Sequence, residues 1–137
     1  MINLVSIRII TENVGKLLEF YEHITEVKGI RFTDDFAELQ TAHGTLAIGS
    51  TRTLQLFGGS EVAKAAQNHT AIIEFITTDV DKFYQEESVF LAPYLVQEPT
   101  TMPWGNRSLL FRDPDGNLVN FFTPLSAEAI KKFEGKI

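Results

Sequence analysis

The stretch LLFRDPDGNLVNFFTP, residues 109–124, reads as two short strands folded back on each other. Residues 107–111 and 117–122 are rich in branched and aromatic side chains, as partly buried strands are. Between them Asp113-Pro114-Asp115-Gly116 supplies a turn. Proline pre-sets the backbone angle needed early in such a turn, and glycine tolerates the conformation that ends it.

Working back from this hairpin, a strand is expected at 94–97 and a helix over 79–90, with Val80, Phe83 and Tyr84 on its apolar side. Before the helix, TAIIEFIT (residues 70–77) is another β-branched strand, and beyond the hairpin a helix is expected over 127–133. The first half has the same order. NLVSIRII (residues 3–10) is a strand with Val5, Ile7 and Ile9 on one face. Asn13 can cap a helix running to about residue 27, whose apolar positions Val14, Leu17, Leu18, Tyr21 and Ile24 recur at helical spacing. Strands are expected at 30–33, 36–41 and 45–49, the last two joined by a turn at His43-Gly44. A further strand-like piece, TLQLF (residues 53–57), leads through Gly58-Gly59 into a linker over 61–68. Laying Gly44 on Gly116 aligns LQTAHGTLAIGS with FRDPDGNLVNFF. The order is therefore βαβββ, linker, βαβββ, helix. Such a duplication predicts an α+β fold of paired βαβββ modules in one domain spanning residues 1–137, with one curved mixed sheet and the helices outside. Module 1 covers about residues 1–58, module 2 about 69–124, and a C-terminal helix about 126–134.

Composition narrows the function. The net charge of −6 and pI near 5.0 argue against binding to nucleic acid or an anionic membrane, which needs clustered basic side chains. The 12 Lys and Arg are scattered instead. The absence of cysteine excludes disulfides, thiolate chemistry and cysteine metal sites. With no basic-then-apolar leader and no apolar run of membrane length, a cytoplasmic protein is expected. There is no G-x-S-x-G, no Ser/His/Asp grouping and no phosphate-cradling glycine loop, so no catalytic nucleophile is assigned.

Residues 109–124 resemble the closing F-x-D-P-D-G-N-x-[IV]-E-[LF] hairpin of the glyoxalase/bleomycin-resistance/dioxygenase family, the vicinal oxygen chelate superfamily. Phe20-Tyr21 at the end of the first helix and EFITTDVDKFYQ (residues 74–85) are similar as well. The resemblance implies that the sheet forms a cup, into which each module's first and last strands can present a metal ligand, usually His or Glu. Those positions map onto Ser6, Ile72 and Asn120, with Ile48 fourth by its offset from Gly44, or Gln55 in another register. Divalent first-row metals take imidazole, carboxylate or thiolate. This set offers none, so neither metal nor cofactor is expected.

Strand alternation then sorts the faces. With Ser6 and Ile72 inward, Leu4, Arg8, Ile10, Thr70, Glu74 and Ile76 follow them, while Val5, Ile7, Ile9, Ala71, Ile73 and Phe75 face the helices. Arg8 and Glu74 fall at equivalent places; they satisfy each other or a neighbouring polar group, since an unpaired buried charge is costly, or they fix the orientation of a polar ligand, and the two readings are compatible. Leu118, Asn120 and Phe122 are inward on the closing strand; Asn120 suits recognition, or simply closes the sheet as a satisfied amide. Trp104, on a rim loop, either caps the core or stacks on a planar ligand. Phe32, Phe36, Phe57 and Phe111 are first candidates for core. His23 and His43 read as exposed or locally bonded, and His69 is the histidine closest to the mapped ligand set.

The ligand-binding set is thus Ser6, Arg8, Ile48, Ile72, Glu74, Trp104, Asn120 and Phe122, with no catalytic residue. The resemblance implies a metal-free binding protein for a small organic molecule, aromatic or cationic, acting as a homodimer. The alternative is a lyase, isomerase or dioxygenase-like enzyme with a displaced metal site or metal-free acid–base chemistry by Glu74 or an Arg8-held acid.

Overall fold

The computed structural model describes all 137 residues. It divides into two compact units, Met1–Asn68 with Pro114–Gly116, and His69–Asp113 with Asn117–Ile137.

The first unit runs β1 (Ser6–Thr11), α1 (Val14–Thr25), β2 (Ile30–Thr33), β3 (Phe36–Gln40), β4 (Thr45–Ser50), then a 3-10 helix at Thr51–Leu56. Asn13 caps α1, its side chain accepting from the Lys16 amide at 3.0 Å. The helix lays Val14, Leu17, Leu18, Tyr21 and Ile24 on β3 and β4, where Ala37, Leu39, Leu46 and Ile48 meet them. Strand order is β1-β4-β3-β2, with β1 and β4 parallel and the rest antiparallel.

The second unit repeats this as β5 (Ile72–Ile76), α2 (Val80–Leu91), β6 (Leu95–Thr101), β7 (Asn106–Arg112) and β8 (Leu118–Pro124), then α3 (Ala127–Lys132). Its order, β5-β8-β7-β6, matches that of the first sheet, again with one parallel pair. Asp79 caps α2 as Asn13 caps α1, accepting from the Lys82 amide at 3.0 Å. The core beneath α2 is aromatic: the Phe121 ring centre lies 4.7 Å from that of Phe83 and 5.3 Å from those of Phe75 and Phe111.

The paired βαβββ modules hold, and the α+β class with them. Three expectations change. Hydrogen bonding closes within each module, so there are two four-stranded mixed sheets rather than one continuous sheet. Residues 53–57 are not a strand: Ser50 accepts from the Arg52 amide and starts the 3-10 helix, and buried Leu54 anchors it. Finally, Leu4 and Val5 precede β1 and are exposed, as is Ile7, because α1 packs on β3 and β4 and leaves the outer end of β1 uncovered. Of the four rings proposed for the core, Phe111 is fully buried, Phe36 is half-buried, and Phe32 and Phe57 are exposed.

Candidate functional site

In the second unit, the parallel register of β5 and β8 sets Glu74 beside Asn120, and the antiparallel register sets Asn120 beside Leu110. All three lie on the face turned away from the Phe121 cluster. Asn120 Nδ2 donates to Glu74 Oε2 at 2.8 Å. Asn120 is only 8% exposed, and its Oδ1 is buried with no partner. A buried acceptor left unpaired costs on the order of 1–3 kcal/mol, and such an atom in a native fold calls for an explanation. Beside it stands a carboxylate in a solvent-exposed residue. Asn120 Oδ1 and the Glu74 carboxylate are open acceptors, so the arrangement suits a molecule bearing N–H or O–H groups.

The neighbouring rows are apolar for the most part. One holds Ile72 and Leu118, the other Ile76 and Phe122. Ile72 is half-exposed beside the polar pair. Phe122 is on the expected face, but its ring packs on Phe133, with centres 5.0 Å apart, so it belongs to the seat of the C-terminal segment. Beyond it, a hollow of about 260 Å³ is lined by residues that include Thr78, Thr123, Ile130, Phe133 and Ile137.

Trp104 sits at the end of the β6–β7 hairpin and is 67% exposed, so it does not cap the core. Its loop is tied down next door: Gly105, at φ 95°, leaves no room for a Cβ against Ser126, and its carbonyl accepts from the Leu125 and Ser126 amides. Asn106, at the near end of β7, lies four residues from the Leu110 level, or about 13 Å along the strand. The structure therefore does not bring Trp104 over Glu74 and Asn120.

In the first unit, Ser6 pairs with Thr45 and Arg8 with Ala47, on the face opposite α1. Arg8 does not take a carboxylate partner: its Cζ lies 4.7 Å from the Phe36 ring centre and 5.1 Å from that of Phe57. Each within its own unit, Arg8 is a ring-held guanidinium and Glu74 a carboxylate bonded by a neighbouring amide.

Ile48 is a correction. It pairs with Ile9 and Ala37, is fully buried on the α1 side, and cannot contribute to the face that carries Ser6 and Arg8. The residue equivalent to Asn120 is Ala47. The mapping failed because the turns differ in length: Gln40 pairs with Thr45 across residues 41–44, whereas Arg112 pairs with Leu118 across 113–117. A slip of one residue turns every side chain to the other face. Gln55 is exposed on the 3-10 helix. His43 lies in the short turn and His69 before β5, both exposed, and His23 in the last turn of α1.

The ligand positions therefore read Ser6, Ala47, Ile72 and Asn120: a hydroxyl, two hydrocarbons and an amide. No group of three or more His, Asp or Glu converges anywhere in the chain. This donor set does not fit a first-row divalent metal.

A model of the Glyoxalase/Bleomycin resistance protein/Dioxygenase superfamily matches residues 3–121. YwbC of Bacillus subtilis (strain 168), described as an uncharacterized protein, is 24% identical over 115 residues, 83% of this chain and 91% of YwbC. A protein of unknown function from Agrobacterium tumefaciens str. C58 superposes with a TM-score of 0.76 at 21% identity, over 91% of this chain and 96% of that one. A glyoxalase/bleomycin resistance protein/dioxygenase family enzyme from Burkholderia phytofirmans PsJN gives 0.76 at 13% identity, over 88% and 97%. At these identities the solved structures speak to the fold alone.

Proposed function

Since the chain belongs to the glyoxalase/bleomycin resistance protein/dioxygenase superfamily, we propose that it is a metal-free member that binds a small organic molecule, aromatic or cationic, at Glu74 and Asn120. The observation that carries this reading is the buried, unpartnered Oδ1 of Asn120 beside the Glu74 carboxylate. A flat cation with two N–H groups, such as an amidinium, would satisfy both acceptors. Ile72 and Leu118 offer an apolar neighbour for its body.

The same reading has the protein act in the cytoplasm as a homodimer. No helix is long and apolar enough to cross a membrane. β1 and β5 are each the edge of a sheet, and each carries an exposed isoleucine, Ile7 and Ile72. Exposed apolar edges are commonly covered, and two-fold pairing is the commonest closure.

Metal analysis of natively purified protein by mass spectrometry, together with a thermal-shift comparison of benzamidine and neutral benzamide, tests the proposal. The expected result is no stoichiometric Zn, Ni, Mn or Fe. Benzamidine should raise the melting midpoint more than benzamide does, and Glu74→Gln or Asn120→Leu should remove its advantage. One equivalent of bound metal, or a benzamidine shift indifferent to both substitutions, overturns it. Light scattering at micromolar concentration should give the mass of a dimer.

A further inference from the structure

We propose that Arg8 is a second recognition point, built to receive the carboxylate of a small organic acid with an apolar body. Arg8 stands on β1, and the rings of Phe36 and Phe57 hold its guanidinium at 4.7 and 5.1 Å. Aromatic faces attract the charge but accept nothing from the in-plane N–H groups. No carboxylate pairs with Arg8. The acid in its own cross-strand row, Glu38 beyond Ala47, is engaged by Gln40, whose Nε2 donates to Glu38 Oε1 at 3.1 Å. Arg8 is thus an exposed guanidinium with its plane flanked by rings and its donor fork unused.

The surroundings are constructed for that placement. A Cβ at Gly49 would sit 3.4 Å from Arg8 Cδ, in van der Waals contact, so the arginine's stem lies close along the β4 backbone. Phe57 is delivered by the 3-10 helix, which Ser50 caps and whose end is closed by the Phe57 amide donating to the Leu54 carbonyl at 3.0 Å. Ser50 in turn donates to Asp35 at 2.8 Å, and Arg52 donates to the same carboxylate at 2.6 Å. A guanidinium held in plane loses less freedom on binding, and its fork matches two coplanar oxygens. The flanking rings favour an acid with an apolar body over inorganic phosphate, whose remaining oxygens would find no donors there. This site lies wholly in the first unit and does not rest on the Glu74–Asn120 reading.

Titration of the full chain with benzoate, benzamide and inorganic phosphate, followed through the arginine Nε–H resonances, tests the assignment. Benzoate should move the Arg8 signal and bind more tightly than either alternative. Arg8→Gln should weaken benzoate roughly tenfold or more, the loss of a charge-assisted hydrogen-bonded pair. Arg8→Lys, which keeps the charge but not the fork, should recover only part of that loss, and Phe57→Leu should weaken benzoate while Arg8 remains. Equal binding of benzamide, tighter binding of phosphate, or benzoate affinity unchanged in Arg8→Gln overturns the proposal. Benzamidine binding in Arg8→Gln should stay as in the parent, which separates failure here from failure at Glu74.

Discussion

Glu74 and Asn120 stand side by side on the parallel β5–β8 pair, joined by a 2.8 Å hydrogen bond that uses one of the amide's two N–H donors and leaves its acceptor buried and unpaired. A carboxylate in place of that amide would face Glu74 without a shared proton. Asn120→Asp should therefore destabilise the fold by on the order of 2 kcal/mol near neutral pH. Burial and the neighbouring charge raise the new group's folded pKa above its unfolded value. The penalty is then full above the folded pKa and is relieved as pH falls through it. Urea midpoints of parent and variant should converge on acidification; a constant gap would contradict the arrangement.

Ile48 and Ala47 are adjacent on β4 but serve opposite faces. Ile48→Ala should cost about 2–5 kcal/mol, since it opens space beneath α1. Ligand binding at saturating folded protein should be unchanged. Denaturant unfolding and a binding titration on the same sample check both halves.

Phe121 is the hub of the ring cluster under α2, and Trp104 is an exposed loop residue. Phe121→Ala should cost about 3–5 kcal/mol. Trp104→Ala should stay within about 0.5 kcal/mol of the parent. A large loss on removing Trp104 would mean that its ring is packed.

Asp35 has its pKa lowered below the ordinary 3.8, first by the Ser50 hydroxyl and then by Arg52. A folded-state pKa below the unfolded one contributes stability at pH above 3.8, and that contribution fades as pH falls through the lower folded value. Asp35→Asn should be less stable than the parent at neutral pH, and the difference should shrink on acidification below pH 3.8. Thermal midpoints across that range measure it.

The helices are legible because their signals are local: Asn13 announces α1, and the apolar spacing of both helices is read from the chain. The equivalence of Arg8 and Glu74 follows from their distances to Phe20-Tyr21 and to Asp79-Val80-Asp81. The closing strands were harder. Gly44 and Gly116 look alike in the alignment, yet Gly116 is left-handed at φ 84° and Gly44 is not, because they end turns of different construction. In the longer turn Asp113 accepts from both the amide and the side chain of Asn117; in the shorter one the Gly44 carbonyl accepts from the amide and hydroxyl of Thr41. Face assignment on β8 does not depend on that comparison. On β4 it does, and the offset from Gly44 lands on Ile48 instead of its neighbour Ala47. The ring cradle of Arg8 was hidden for another reason. Residues 53–57 alternate like a strand, and only the Ser50 cap and the Gly58-Gly59 exit hinted at a tighter helix that swings Phe57 back to the sheet.

The one-residue difference between the two hairpin turns makes the modules poor exchangeable parts. Chain length there sets the phase of the strand that follows, as a reading frame sets a codon. Transplanting residues 113–117 into the place of 41–44 would add half a pleat. Either β4 would turn Ala47 toward α1 and Ile48 away from it, or the β3–β4 ladder would have to absorb a bulge. Recombination between halves that keeps whole hairpins preserves both faces, whereas a crossover inside a turn inverts one. Insertions in these two turns should therefore be tolerated in pairs of residues more readily than singly, unlike insertions in the linker that joins the modules.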